Sequence, residues 1–115
     1  MNGNKTDVIL RIKKTINYID KILENYPKSE IVLKKRIGNS IYDILEYCYM
    51  AISDVDNKNK YIKCSLVKMK MLDFYLKCSF DKNIISHKNI KTLGINLREI
   101  TSILNAWERK NEKIK

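Results

Sequence analysis

Lys63, Lys70 and Lys77 recur every seven residues, which on a helix sets three ammonium groups in one row about 21 Å long. A row of that length can follow several phosphates of a nucleic-acid strand and displace its counterions. Arg11, Lys14 and Lys21 form a comparable row with Tyr18 between them, and Lys91 and Arg98 form a shorter one. Such contacts position a polyanion without reading its bases. Phe74 lies between Lys70 and Lys77, where it can stack a base, although a packing role is the simpler reading.

Other chemistry finds little support. Cys48, Cys64 and Cys78 have no Cys-x-x-Cys spacing, and Cys64 and Cys78 on one helix would stand about 21 Å apart, too far to share a metal. They read as small buried hydrophobes. His87 is the single histidine and has no Glu at helical metal-site spacing, so no Glu-x-x-His pair exists. Gly-rich phosphate loops are absent too. The expectation is a protein with no catalytic residues, no metal and no cofactor.

Those rows need long helices, and the composition favours them. The chain has 115 residues, room for one domain, and its 44% apolar content is enough for a folded core. With 3 Gly and 1 Pro it lacks the turn punctuation of a sandwich or barrel. No apolar run reaches the roughly 18 residues of a membrane span, and the polar start MNGNKTD does not read as a signal peptide, so a cytoplasmic protein without membrane contact is expected. Three cysteines in separate segments do not make a secreted disulfide framework. The formal net charge is +10 and unevenly spread: residues 1–57 carry 9 basic and 8 acidic side chains, residues 58–115 carry 14 and 5. Basicity of that size suits a polyanionic partner.

Apolar spacing defines four helices, at about 6–25, 30–53, 59–80 and 87–110, in a single domain spanning 1–115. Ile9, Ile12, Ile16, Ile19 and Leu23 step by 3 and 4 along the first; Ile90, Leu93, Leu97, Ile100, Leu104 and Trp107 do so along the fourth. Pro27 ends the first helix, Ser29 is placed to cap the second, and Ser86 to cap the fourth. Similar lengths and short connections predict an all-α, up-down-up-down antiparallel four-helix bundle. Gly38 and Gly94 fall inside helices, from either drift or close helix approach.

The middle helices are apolar on more than one side. Ile37, Ile41, Ile44 and Cys48 make one seam of the second, with Tyr42, Leu45, Tyr49 and Ile52 beside it. On the third, Ile62, Ser65, Met69, Leu72 and Leu76 make a core seam, and Cys64, Val67, Met71, Phe74 and Cys78 a second on roughly the opposite side. A bundle helix needs one apolar stripe, so the extra seams favour an interface between copies of the chain, with Tyr42 and Tyr49 included, over a wide core or a partner protein on the same face.

Ile22-Leu23-Glu24-Asn25-Tyr26-Pro27-Lys28-Ser29-Glu30, followed by Leu33, Arg36-Ile37, Ile44-Leu45-Glu46 and Ala51, resembles the accessory variability determinant (Avd) proteins of diversity-generating retroelements. So do Lys68 to Leu76, Ile84-Ile85-Ser86, and Leu97-Arg98-Glu99-Ile100 with Leu104 and Trp107. The related four-helix proteins encoded in ribosomal RNA intervening sequences share the Pro-Lys-Ser-Glu turn but continue with a small, polar stretch where this chain has Leu45-Glu46-Tyr47-Cys48-Tyr49. The resemblance implies a non-catalytic, basic bundle assembled as a homopentamer. It also implies binding to a reverse transcriptase and to RNA or DNA, in support of mutagenic cDNA synthesis. Glu30-Ile31-Val32 departs from the basic or aromatic segment common there, which speaks against a nucleic-acid contact at that end. The alternatives are a protein-binding scaffold or an intervening-sequence-type bundle without a polymerase partner.

Overall fold

The computed structural model describes the backbone of residues 4–114 and the side chains of residues 7–108; the outermost ends of the expected 1–115 domain lie outside them. All its regular structure is helical: α1 (Asn4–Leu23), α2 (Ile31–Ser53), α3 (Lys58–Asp81) and α4 (His87–Ile114), with one-turn 3₁₀ segments at Lys28–Glu30 and Val55–Asn57. The body measures 48 × 23 × 19 Å, a bundle elongated along its helices.

Cross-helix contacts fix the directions. Arg11 pairs with Glu99 and the Tyr18 hydroxyl donates to Asn89, so α1 and α4 run antiparallel. Lys68 pairs with Asp43 while Tyr61 stacks on Tyr47, so α2 and α3 do as well. Each helix packs on its chain neighbours, and α4 closes back on α1. The most extensive contact joins α2 to α3, where Cys48 Sγ lies 3.8 Å from Ser65 Oγ. Small side chains at such a crossing let two helices approach closely.

Every residue of the expected core seams of α1, α2 and α3 is buried, as are all those of α4 except half-buried Ile90. The 3,4 spacing reports this directly, because residues three and four apart share a helix face. Neither internal glycine is forced by crowding. A Cβ at Gly38 would meet the Leu23 side chain at 3.6 Å, and one at Gly94 the Arg98 guanidinium at 3.6 Å, both ordinary contacts.

The helix ends show local physics that periodicity misses. α1 stops at Leu23 because Asn25 and Tyr26 donate to the carbonyls of Ile22 and Leu23, tightening the chain before Pro27. Ser29 does not cap α2: it is exposed within the 3₁₀ turn, and Glu30 takes the N-cap position without a side-chain hydrogen bond. The turn is held by Tyr26 instead, whose buried hydroxyl donates to Ser79 Oγ at 2.7 Å. At the other end of the bundle, the turn between α2 and α3 folds around Asp54, whose carboxylate accepts from the Asn57 amide. Ser86 does cap α4, its Oγ accepting from the Asn89 amide at 3.0 Å. α3 ends with Asn83 at φ 63°, while the amides of Asn83 and Ile84 return to the carbonyls of Phe80 and Ser79. Asparagine tolerates that left-handed conformation better than most residues.

Leu72 is fully buried in α3. Replacing it with Ala should cost about 2–5 kcal/mol in a urea melt followed by circular dichroism, with native helicity retained below the transition.

Candidate polyanion-binding groove

Antiparallel pairing of α3 with α4 brings two of the sequence's basic rows face to face. Lys70 and Lys77 from α3 and Arg98 from α4 line a single groove of about 880 Å³. Met69 and Leu97 help line it, and Gly94 widens it by contributing no side chain. Thr101, Ser102 and Asn105 add neutral hydrogen-bonding groups along the α4 wall. One carboxylate intrudes: Asp73 pairs with Lys77 at 2.9 Å, one helical turn away. Both partners are exposed, and an exposed pair of this kind is worth about 0–1 kcal/mol, so a phosphate can displace it at little cost.

The other basic candidates disperse. Lys63 and Lys91 are exposed on α3 and α4, outside the groove lining. Lys14 and Lys21 are exposed on α1. Arg11 forms an exposed ion pair with Glu99, as displaceable as that of Lys77, and the Tyr18 hydroxyl donates to Asn89, so the α1 row faces α4 away from the groove lining. Convergence on the groove depends on helix pairing, which no single row reveals. Thr101 and Asn105 carried no signal in the sequence for the same reason.

The extra seams open in different directions. Val67 is 60% exposed and Phe74 56%, with Met71 also exposed and Cys64 and Cys78 half-buried beside them. This stripe on α3 continues across to Val32 and Leu33 of α2, around a depression of about 490 Å³ rimmed by Arg36 and the Lys82–Glu30 ion pair. Phe74 packs edge-on against Tyr75. Tyr42 and Tyr49 sit on the opposite flank of α2, beside α1: Tyr42 donates to Asp20 at 3.1 Å, and Lys13 Nζ lies 5.8 Å from the Tyr49 ring centre. The residues expected at the interface between copies thus lie on two surfaces of the chain, the α3 stripe and the α1-side flank of α2. Lys13 was not singled out by spacing, since its partner is on another helix.

Among the described residues, three titratable groups are clearly shifted. Burial pushes the Cys48 thiol up to about 11, with the Ser65 contact pulling slightly the other way. Burial also raises Tyr26, and the hydrogen bond to Asp20 raises Tyr42. His87 is exposed, edge-on to Phe80. Among the described residues no group of three or more His, Cys, Asp or Glu side chains could hold a metal ion, and no helix is long and apolar enough to cross a membrane.

No protein-family model matches this chain, and no curated protein is similar to it in sequence. The resemblance to the Avd proteins rests on the turn and packing residues quoted above.

The folded chain holds the Cys48 proton more tightly than the unfolded chain does. Its contribution to stability should be intact below pH 9 and fall away between pH 9 and about 11. Iodoacetamide at pH 8 should modify Cys48 only as fast as the bundle opens, as read by peptide mass spectrometry.

Proposed function

We propose that this protein is a non-catalytic accessory subunit that binds RNA or DNA through the α3–α4 groove and self-associates through the outer stripe of α3. The observation that carries the reading is the convergence of Lys70, Lys77 and Arg98 on one groove. Three cations set across a cleft can grip a phosphate backbone from two sides, whereas a lone lysine row is usually a solvated helix face. The surplus of positive charge in residues 58–115 adds long-range attraction that speeds encounter with a polyanion. Nothing in the groove provides a rigid, base-specific donor pattern, so binding follows the backbone and tolerates sequence.

The resemblance to Avd proteins extends this to a specific role. In that reading the assembly is a homopentamer, its protein partner is a retroelement reverse transcriptase, and the bound strand is template RNA or its cDNA. The exposure of Val67, Met71 and Phe74 supports self-association, because a stripe of three large apolar side chains on a single chain calls for cover. A protein-binding scaffold, with positive charge serving an acidic partner, is the competing reading and shares that stripe.

Binding to single-stranded RNA should weaken steeply with salt. Changing Lys70, Lys77 and Arg98 together to Glu should abolish tight binding and reduce the slope of log affinity against log salt by about 2, at roughly 0.7 per phosphate contact. Binding that is absent or insensitive to salt would favour the scaffold.

Light scattering should give a multiple of the 13.6 kDa chain mass, five in the pentameric reading. Phe74→Glu should yield smaller, still helical species in which Cys64 and Cys78 become faster to alkylate. A wild-type monomer would end the assembly proposal.

A further inference from the structure

Residues 37–57 contain four carboxylates, Asp43, Glu46, Asp54 and Asp56, and no lysine or arginine, in a chain of net charge +10. The stretch covers most of α2 and the 3₁₀ turn after it. Asp43 is paired with Lys68 towards α3, and Asp54 is occupied by Asn57. Glu46 and Asp56 are exposed and form no ion pair among the described residues.

Glu46 borders a shallow depression of about 380 Å³ lined by Tyr42, Leu45, Tyr49 and Met50. From Tyr42 to Ser53 this surface runs for about 16 Å, the length of three helical turns. Asp20 of α1 stands beside Tyr42, and at the far end Val55 is 73% exposed between Asp54 and Asp56. The Tyr49 ring already takes a cation on its face, the ammonium of Lys13. The surface is thus aromatic and aliphatic, with carboxylates along its edge.

A phosphate backbone does not fit there, since Glu46, Asp20 and Asp56 would repel it. Lysine and arginine side chains do fit: their apolar stems lie along Leu45 and Met50 while their charged heads reach the carboxylates or the tyrosine faces. The chain's own α3–α4 groove is itself concave and does not fill this depression, and the α3 stripe of a second copy is the occupant that the oligomer-size measurement would assign instead. We infer that the Tyr42–Tyr49 face of α2 docks an amphipathic, Lys/Arg-bearing segment of a different protein. The protein then has two faces of opposite preference, a cationic groove for a polyanion and an anionic aromatic face for a basic polypeptide. The second inference does not depend on the first.

A labelled amphipathic peptide of leucine and lysine, and its counterpart with every lysine replaced by glutamate, test this by fluorescence anisotropy. The net charge of the protein favours the glutamate peptide, so preference for the lysine peptide is the discriminating result. Glu46→Lys should weaken lysine-peptide binding roughly tenfold or more, since like charges would then meet. Tyr49→Ala should weaken it in the same direction, while the Lys70/Lys77/Arg98→Glu variant should retain it. Absence of lysine-peptide binding, or indifference of that binding to Glu46→Lys, would overturn the inference. So would a change of oligomer size on Glu46→Lys in light scattering, which would assign this face to a second copy.

Discussion

The close packing of α2 on α3 governs where every outer surface of this protein points. Cys48 against Ser65 brings the two helices together with little side-chain bulk between them, and the Asp43–Lys68 and Tyr47–Tyr61 contacts hold their register. Once that pair is set, the core seam of α3 faces inward, and a second stripe on the same helix cannot also reach the interior. Val67, Met71 and Phe74 are left outside as a geometric consequence of helical spacing. The same rotation turns Lys70 and Lys77 towards α4, where Arg98 meets them.

Much of the architecture was legible in the pattern of apolar residues. Ile12, Ile44, Leu72 and Leu104 stand at seam positions and are fully buried, because spacing of three and four determines a helix face without reference to neighbours. What depends on a second helix was not legible. Ser29 has the right chemistry for a cap, yet the turn is shaped by Tyr26 reaching Ser79, a residue 53 positions away. The basic rows were readable one helix at a time, but their merging in the groove, the pairing of Arg11 with Glu99 and the seating of Lys13 on Tyr49 all follow from helix packing. Tyr42 and Tyr49 lie on the far side of α2 from the α3 stripe, a placement that spacing within one helix does not specify.

Charge and apolarity are distributed so that they seldom conflict. The lysine-rich side draws its field from residues 58–115, while Glu46 and Asp20 border the outer face of α2 that Tyr42 and Tyr49 occupy. Separation on this scale exceeds the screening length of about 8–10 Å at physiological salt only in part, so the net positive field still reaches the acidic flank. A basic partner must therefore gain more from close contact with carboxylates and rings than it loses to the field at a distance. Such a surface selects for shape as well as charge.

Tyr26 and Ser79 tie the first interhelical turn to the last turn of α3 through a buried hydrogen bond, itself relayed by Ser79 to the carbonyl of Tyr75. The Tyr-Pro-Lys-Ser segment thereby serves as a buckle for the scaffold and touches none of the grooves on the flanks. With the buckle set apart from the linings of those grooves, side chains on the outer faces can change without loosening it.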